Sequence, residues 1–478
     1  MKKPRKQVVW FALISLILIG AFRLYQTRNR PQAAAAEPVV DEQEALERAF
    51  KAEANDFSAL LSDDASEIGY ALMRINGRWH DASPVMLLEV FRFAPNAATA
   101  RGGLELMRRR LEIDKGTKAD DWFEYLWTLP EPTYRGYAQF KADLYGGLVD
   151  ERFSAYFSPD AKKTIRLDEI RWGGVKQDGI PPLDNPEMLS ADEAVYLADS
   201  DVVFGVTQDG RAKAYPKRIL AWHEMVKDTI GEDHITGVYC TLCGAMIVYN
   251  STTNDDIQHD FGTSGFLYRS NKLMYDKATN SLWSSIRGKP VVGPFAGTGM
   301  ELETLPVVTT TWGEWKKRHP RTLVLDIETG YDRDYGEGVA YRDYFASKDL
   351  MFSVPKRDDR LENKDEVFIV RVDGKQLEVA FPVDFLAKNT VFHDQEAGTR
   401  FVILTDSSGA SRAYETPDVT FVETTPEGTV VDDRGKVWSL GEDALVSLDS
   451  KEELKRLAAH RVFWFAWFSQ HPETRLVK

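Results

Sequence analysis

The sequence predicts an α+β protein with an N-terminal membrane anchor, a helical region, and a β-rich domain built from two related β-rich units. Three observations support this architecture: an apolar run near the amino terminus, helical periodicity over 57–170, and a β-rich pattern that occurs twice after residue 196. Of the 478 residues, 43% are apolar and 28% are charged, as in folded globular proteins. The net charge of −14 argues against a nucleic acid partner, because phosphate backbones bind basic surfaces.

Residues 1–30 contain the predicted signal anchor. Basic residues precede an uncharged run of 15 residues from Val8 to Phe22, and Arg23 follows it. A transmembrane helix needs roughly 20 residues, which the run reaches if Arg23 extends its charged end towards the lipid headgroups. A cleaved signal peptide with its cleavage site at Ala33 to Ala36 is the alternative, but arginines intervene. We therefore expect a single-pass protein of the cytoplasmic membrane, with the bulk of the chain in the periplasm.

Residues 31–56 form a predicted linker, and residues 57–170 a predicted helical domain. Near the end of this domain, Trp122 to Trp127 contains four aromatic side chains on a predicted helix before Pro130. Such a cluster is typical of a helical core. A docking surface for a protein partner is the alternative interpretation.

The β-rich part is predicted to contain residues 171–350 and a degenerate second repeat over 351–478. A strand, an Asp-Gly turn, a second strand and a proline occur around Asp209-Gly210 and again around Asp373-Gly374. The motif Trp312-x-x-Trp315-x-x-x-His319-Pro320-x-Thr322 returns as Trp464-x-x-Trp467-x-x-x-His471-Pro472-x-Thr474. Because both ends of the unit recur in the same order, we interpret the two stretches as copies, with framework roles for the two histidines.

The two cysteines of the chain, Cys240 and Cys243, lie in a Cys-x-x-Cys-Gly turn between two predicted strands. A disulfide across so short a loop restrains little of the unfolded chain and is a poor structural link. Matching the copies places Thr405 and Ser408 at the cysteine positions, and Asn389 at the position of His223. The second copy thus keeps the framework and lacks the sulfur and imidazole groups, which favours a site confined to the first copy.

A soft metal ion is the first hypothesis for this site. Cys240 and Cys243 would supply two thiolates, His223 a third ligand and Met274 a fourth. Such a set suits copper better than magnesium or calcium, and zinc is the less favoured alternative. We expect Ser264, Asp276 and Trp283 to line a pocket on the same face as the cysteine turn. The sequence assigns no catalytic residue.

Two other classes of function remain open. The same cysteines could exchange electrons as a periplasmic dithiol–disulfide redox pair. Alternatively, the domain could be a non-catalytic binding or scaffold module. The glycine-rich stretch from Asp260 to Gly265 lacks the lysine of a phosphate-binding loop, so we expect no nucleotide cofactor.

Several of these motifs resemble those of one known family. They are Ala214-Tyr215-Pro216, Leu220-x-Trp222-His223-Glu224, Cys240-x-Leu242-Cys243-Gly244, Phe261-Gly262-x-Ser264-Gly265, Met274-Tyr275-Asp276 and Thr311-Trp312-x-x-Trp315. Over about residues 170–350 they resemble the domain of unknown function 3179 (DUF3179) family, whose members usually carry proline where this chain has Thr241. The resemblance implies an exported or membrane-tethered bacterial or archaeal protein, and it implies no established activity.

Overall fold

The computed structural model describes residues 42–253, 256–372, 375–425 and 428–478. The protein has mixed helices and β-sheets and is of the α+β class. Residues 53–478 form one compact unit, and of the other unit, 1–52, the described part is the beginning of one helix. The predicted anchor over 1–30 lies outside the described residues. Within the described ranges, none of the helices has the length and apolar character required to cross a membrane.

Helices dominate the described chain up to residue 156. The helices of the whole described chain are α1 (Glu42–Ser58), α2 (Ala65–Gly77), α3 (Ser83–Phe91), α4 (Ala97–Leu111), α5 (Ala119–Leu126), α6 (Gly136–Leu148), α7 (Lys217–His223), α8 (Trp312–Arg318), α9 (Arg342–Ala346), α10 (Val383–Lys388) and α11 (Trp464–Gln470). Short 3₁₀ helices span Ala59–Leu61, Glu151–Tyr156, Leu167–Glu169 and Thr241–Cys243. Helices α2 and α4 begin at side-chain caps, because Asp64 accepts from the Ser66 amide and Asn96 from the Ala98 amide.

The aromatic cluster on α5 belongs to the core. Trp122 and Phe123 are buried, as is Trp127 directly after the helix, and all three share one apolar cluster with helices α3 and α6. The same cluster continues into the β-rich part through Phe266 and Tyr275. These tryptophans therefore stabilise the packing of the helical region and are not available as a docking surface.

The strands are β1 (Ile170–Trp172), β2 (Leu183–Asp184), β3 (Met188–Ser190), β4 (Val202–Gln208), β5 (Arg211–Pro216), β6 (Met225–Ile230), β7 (Asp233–Cys240), β8 (Ala245–Asn250), β9 (Phe261–Tyr268), β10 (Asn271–Asp276), β11 (Leu282–Ser284), β12 (Lys289–Val292), β13 (Thr304–Leu305) and β14 (Val308–Thr311). They continue with β15 (Leu323–Leu325), β16 (Glu366–Val372), β17 (Lys375–Gln376), β18 (Val379–Pro382), β19 (Val391–Glu396), β20 (Thr399–Thr405), β21 (Ser411–Glu415), β22 (Phe421–Thr424), β23 (Thr429–Asp432), β24 (Val437–Leu440), β25 (Ala444–Ser447), β26 (Glu453–Leu457), β27 (Ala459–Phe463) and β28 (Arg475–Leu476).

The two copies have the same strand order. In the first copy β14, β4, β5 and β15 form one sheet, and β13, β8, β7 and β6 form another. The second copy repeats these sheets with β27, β16, β18 and β28, and with β26, β21, β20 and β19. Even the unusual parallel pairs correspond, because β15 pairs with β5 as β28 pairs with β18. The copies differ in the strands inserted before the last strand of the second sheet. In the first copy β9–β12 lie between β8 and β13 along the chain, and in the second copy β22–β25 lie between β21 and β26.

Framework side chains are duplicated with the strands. Trp315 donates through Nε1 to Thr322 Oγ1 at 2.9 Å, and Trp467 donates to Thr474 Oγ1 at 2.9 Å. The rings of His319 and His471 lie 4.1 Å from the tryptophan rings of their own copies. These contacts fit the framework roles expected for both histidines.

The turn of each copy lies in one apolar cluster with the tryptophan helix of the other copy. The Cys240–Cys243 turn shares an apolar cluster with Trp464 and Trp467 on α11. In the opposite direction, Ala410 of the matching second-copy turn lies in a cluster with Trp312 on α8. This exchange of contacts brings second-copy residues next to the cysteines.

Candidate functional site

The Cys-x-x-Cys turn connects two antiparallel strands. Strand β7 ends at Cys240, a single 3₁₀ turn follows, and β8 begins at Ala245, which pairs with Cys240. Gly244 has a φ of +62°, in the left-handed region that glycine tolerates. A Cβ atom at this position would lie 2.8 Å from the Phe463 ring, so both the turn and the packing require glycine.

The two sulfurs form a buried dithiol. Both cysteines are free, and their Sγ atoms lie 2.7 Å apart. The exposed fraction is 4% for Cys240 and 0% for Cys243. Two groups from the β9–β10 hairpin complete the contacts of Cys243: its sulfur lies 3.5 Å from the Ser270 carbonyl oxygen, and Asn271 Nδ2 donates to it at 3.4 Å.

The surroundings shift the pKa values of the two thiols in opposite directions. Burial opposes ionisation of Cys240, but hydrogen bonds from the Cys243 thiol and the Lys272 amide outweigh it and lower the pKa of Cys240. Burial, and the hydrogen bond that it gives to Cys240, raise the pKa of Cys243 well above the ordinary thiol value. Cys240 is therefore the sulfur that ionises first, and Cys243 is its thiol donor.

A buried ion pair lies beside the dithiol. Lys272 Nζ donates to Glu224 Oε2 at 2.8 Å, and both side chains are at most 10% exposed. Glu224 follows helix α7 with a φ of +56°, which is strained for a residue with a Cβ atom. The negative charge of its carboxylate raises the pKa of both thiols, although burial raises them more. The carboxylate of Glu224, paired with Lys272, is therefore close enough to the sulfurs to influence their ionisation.

Two tyrosines and a phenylalanine cover the site. Tyr341 donates to Glu224 Oε1 at 3.2 Å, and Tyr344 on helix α9 donates to the Leu242 carbonyl oxygen at 2.7 Å. Phe463 of the second copy covers Gly244. Burial, and then the charge of Cys243, raise the pKa of Tyr344, so it stays a neutral phenol that can donate. These three side chains contribute to the burial of the dithiol.

The structure does not bring His223 to the cysteines. Its Nδ1 donates to the Pro181 carbonyl oxygen at 2.9 Å, and its Nε2 accepts from the Tyr335 hydroxyl at 2.5 Å. Burial lowers its pKa, so the imidazole is neutral with both nitrogens engaged. The neighbouring Glu224 side chain, and not His223, faces the sulfurs. Helix α7 ends at His223, and the role of this residue as a metal ligand remains a prediction.

Met274 lies in the apolar core of the first copy. It pairs with Thr263 and Trp283 on the neighbouring strands and belongs to the same buried cluster as the two cysteines. Among residues 42–253, 256–372, 375–425 and 428–478, no three His, Cys, Asp or Glu side chains are arranged to hold a metal ion. Binding of one metal ion by Cys240, Cys243, His223 and Met274 remains a prediction.

Ser264 has contacts separate from those of Asp276 and Trp283, the other two residues predicted to line a pocket. Ser264 is buried, its hydroxyl donates to the Leu273 carbonyl oxygen at 2.7 Å, and it accepts from the Phe266 amide at 3.0 Å. Ser264 therefore stabilises the hairpin. Asp276 and Trp283 instead meet around His259, a residue that the sequence did not indicate.

His259 links Asp276 and Trp283 in a buried cluster. Its Nδ1 lies 2.7 Å from Asp276 Oδ2, and its ring centroid lies 5.2 Å from that of Trp283. Burial opposes ionisation of Asp276, but hydrogen bonds from His259 and Thr279 prevail and lower its pKa. Asp276 also caps the turn by accepting from the Thr279 amide at 2.8 Å. The cluster orders the β10–β11 hairpin.

Comparison with protein families gives one match. The family described as protein of unknown function (DUF3179) matches residues 177–474, which is more than half of the chain. The chain belongs to the DUF3179 family. No curated protein and no solved structure matches the chain. The match extends beyond the expected 170–350 into the second copy, so the family domain comprises both copies of the repeat.

Several residues of the dithiol site escaped the sequence interpretation. Glu224 stands in the family motif next to His223, and Lys272 lies two residues before Met274, so both were near the residues singled out. Tyr344 and Phe463 lie about one and two hundred residues away in the chain, and only the packing of the copies places them at the turn. No short sequence pattern indicates such contacts.

Proposed function

We propose that this chain is a dithiol–disulfide redox protein in which Cys240 and Cys243 form the redox pair. The observation that carries the proposal is the 2.7 Å separation of two free sulfurs with oppositely shifted pKa values. Two thiolates that share one tetrahedral ion at bonds of about 2.3 Å stand roughly 3.8 Å apart, so a metal would require these sulfurs to separate. A disulfide bond of about 2.05 Å requires only a small approach.

The proposed exchange is balanced in atoms and electrons. The Cys240 thiolate attacks one sulfur of a substrate disulfide, and the other substrate sulfur leaves as a thiolate and takes up a proton. Cys243 then loses its proton and attacks the Cys240 sulfur, which forms the internal disulfide and releases the second substrate thiol. Two electrons pass from the dithiol to the substrate. The lowered pKa of Cys240 suits the first attack, and the raised pKa of Cys243 delays the second.

The buried position limits which substrates can react. A small disulfide can reach Cys240 after a side-chain movement, whereas a protein disulfide requires displacement of helix α9. Three features tie this helix down: the Tyr344 bond to Leu242, and two bonds from Lys364 Nζ to the carbonyl oxygens of Tyr344 and Ser347. We therefore propose a low-molecular-weight disulfide, or a partner that displaces α9, as substrate.

Copper binding is the second candidate function. It is favoured by two buried sulfurs that share an apolar cluster with the Met274 thioether, a soft donor set suited to copper(I). In this alternative the sulfurs separate to take the ion between them, and His223 is not a ligand unless it leaves Pro181 and Tyr335.

We further propose that residues 1–30 hold the chain in the cytoplasmic membrane with the remainder in the periplasm. The support is the apolar run, which is flanked by basic residues. Alkaline extraction of membranes and protease protection of the full chain test this location. Release into the alkaline supernatant would contradict it.

The decisive experiment measures redox state and metal content on the same full-length preparation. The chain is equilibrated in glutathione buffers of graded potential, its free thiols are alkylated, and the mass shift is read. We expect a single transition between two and no alkylated cysteines, absent in Cys240→Ser and Cys243→Ser. A dithiol that stays reduced in every buffer would refute the redox function. Stoichiometric copper that is lost in both variants would support the second candidate instead.

A further inference from the structure

A second site lies away from the cysteines, where the helical region meets strand β1 and the loop before β16. It is a pocket of about 610 Å³, within the range of about 300–1,000 Å³ that is typical of small-molecule sites. Its walls include Phe123, Trp172 and Phe352, and its charged groups include Glu89, Arg92 and Arg171. It shares no lining residue with the dithiol site.

Two arginines lie against the aromatic walls. The Arg92 guanidinium lies 4.6 Å from the Trp172 ring centroid, and the Arg171 guanidinium lies 4.0 Å from that of Phe123. Both guanidinium groups lie 5.9 Å from the ring of Phe352, so they face the same part of the pocket. Contacts of this kind hold a guanidinium group against an aromatic ring, and each arginine has further N–H donors beyond those already used.

The positive charge of the pocket is only partly neutralised. Arg171 donates to Asp120 at 2.7 Å. Arg92 donates to the Trp172 carbonyl oxygen, and in the described part of the chain no carboxylate forms an ion pair with it. Burial, and to a lesser extent the like charge of Arg171, lower the pKa of Arg92. An anion between the two arginines would relieve this repulsion and form paired hydrogen bonds.

The inner wall offers a hydrogen-bond acceptor. Glu89 Oε1 accepts from Lys141 Nζ at 2.7 Å and from the Tyr137 hydroxyl at 2.6 Å. Glu89 Oε2 is buried and has no hydrogen-bond partner among the described residues. A buried acceptor without a partner is unfavourable, and a ligand donor would recover that loss. The phenol of Tyr145 also lines the pocket, and burial beside Glu89 raises its pKa.

We propose that this pocket binds a small amphipathic organic acid. Its carboxylate pairs with Arg92 and Arg171, its apolar body packs against Phe123, Trp172 and Phe352, and a hydroxyl or amino group donates to Glu89. This inference is independent of the redox proposal, because it requires neither cysteine.

The test uses three probes on the full chain. They are 3-(4-hydroxyphenyl)propanoate, 3-phenylpropanoate, which lacks the donor, and 3-(4-hydroxyphenyl)propanamide, which lacks the charge. Binding is followed by calorimetry and by quenching of tryptophan fluorescence, to which Trp172 in the wall contributes. We expect the hydroxy acid to bind at least tenfold more tightly than either of the other probes. Comparing the two acids tests Glu89 in the unaltered chain, so its buried ion pair with Lys141 stays intact.

The variant Arg92→Gln tests the carboxylate partner, and Arg101→Gln, at an exposed position on helix α4, is the matched control. We expect Arg92→Gln to weaken binding of the hydroxy acid at least tenfold and Arg101→Gln to leave it unchanged. Cys240→Ser should bind as the unaltered chain does, which separates this proposal from the redox function. The proposal would be overturned if none of the three probes bound at about 10 mM, because a ligand of this size in a matching site should bind with a lower dissociation constant. It would also be overturned if Arg92→Gln bound the hydroxy acid as tightly as the unaltered chain. Equal affinity for the two acids would overturn the role of Glu89.

Discussion

The ammonium of Lys272 donates to the carboxylate of Glu224 at 2.8 Å, beside two thiols that lie 2.7 Å apart. A carboxylate in a water-poor site opposes the formation of a second negative charge on sulfur. The positive charge of Lys272 weakens the opposition of the carboxylate to thiol ionisation but does not remove it. The ion pair therefore influences how readily the dithiol ionises, and the strained backbone of Glu224 fixes the position of the charge.

Replacement of Glu224 tests this electrostatic control. We expect Glu224→Gln to lower the pKa of both thiols and to increase their alkylation rate at pH 7 by roughly threefold to tenfold, the effect of half to one pKa unit. Asp228→Asn is the matched control, because Asp228 is also a buried carboxylate paired with a lysine at 2.8 Å. Its alkylation rate should equal that of the unaltered chain. A slower reaction in Glu224→Gln would show that the carboxylate does not oppose ionisation.

Removal of Lys272 should affect stability more than reactivity. Lys272→Met leaves Glu224 buried without its cationic partner, which costs about 3 kcal/mol or more. We expect the free energy of unfolding, measured with urea, to fall by that amount. In the double variant with Glu224→Gln, most of the loss should return. Additive losses in the double variant would contradict coupling of the two residues.

The two cysteines should differ in reactivity when each is left alone. In Cys243→Ser the serine hydroxyl can still donate to Cys240, so the lowered pKa of Cys240 is largely kept. In Cys240→Ser the remaining Cys243 is fully buried with a raised pKa. We expect Cys240 to be alkylated at least tenfold faster at pH 7.5, an effect of about one pKa unit or more. The two rates should become equal in guanidinium chloride, where the surroundings are lost.

Tyr344 controls access to the dithiol in our interpretation. Tyr344→Phe removes the bond to the Leu242 carbonyl oxygen that ties α9 to the cysteine turn, at a cost of about 1 kcal/mol. Opening of α9 then becomes about fivefold more frequent, and alkylation of Cys240 should accelerate by the same factor. Tyr335→Phe is the control, because its hydroxyl serves His223 and Thr329 and not the cysteine turn. Equal acceleration in both variants would indicate general loosening.

The duplicated tryptophan–threonine bonds allow a comparison within one chain. Thr322→Val and Thr474→Val each leave a buried indole N–H without its 2.9 Å partner. We expect each to lower the free energy of unfolding by about 1–2 kcal/mol, measured by urea denaturation. Since the geometry is the same, the two losses should agree within about 0.5 kcal/mol. A loss in one copy alone would show that the copies no longer share a framework.

His460 should contribute to unfolding in acid. It is buried with neither ring nitrogen hydrogen-bonded among the described residues, and burial lowers its pKa well below 6.5. Below pH 6.5 the unfolded chain binds a proton that the folded chain does not. The free energy of unfolding therefore decreases as the pH is lowered, by up to about 1.4 kcal/mol per pH unit. We expect His460→Leu to reduce this slope between pH 6.5 and 5, measured by urea denaturation. His234→Leu, at an exposed position, should keep it.

The internal repeat was accessible from the sequence because turns and tryptophan frameworks depend on local chemistry. Asp209-Gly210 forms the β4–β5 turn, and both tryptophan motifs form short helices that begin at the first tryptophan. The predicted core role of the aromatic cluster on α5 agrees with its burial for the same reason, since amphipathic spacing is a local property. The family was also recognisable, because its motifs surround the cysteine turn.

The sequence by itself determined the α+β class, the position of the paired cysteines, and their absence from the second copy. Only the tertiary structure decided what surrounds the sulfurs. His223 turns towards Pro181, Glu224 takes its place, and Tyr344 and Phe463 arrive from distant parts of the chain. Spacing along a chain fixes periodicity, but the direction of a side chain at a helix end depends on the backbone angle there, and long-range neighbours depend on how sheets pack. The cysteine turn was thus predictable as a motif, and its electrostatic surroundings were not.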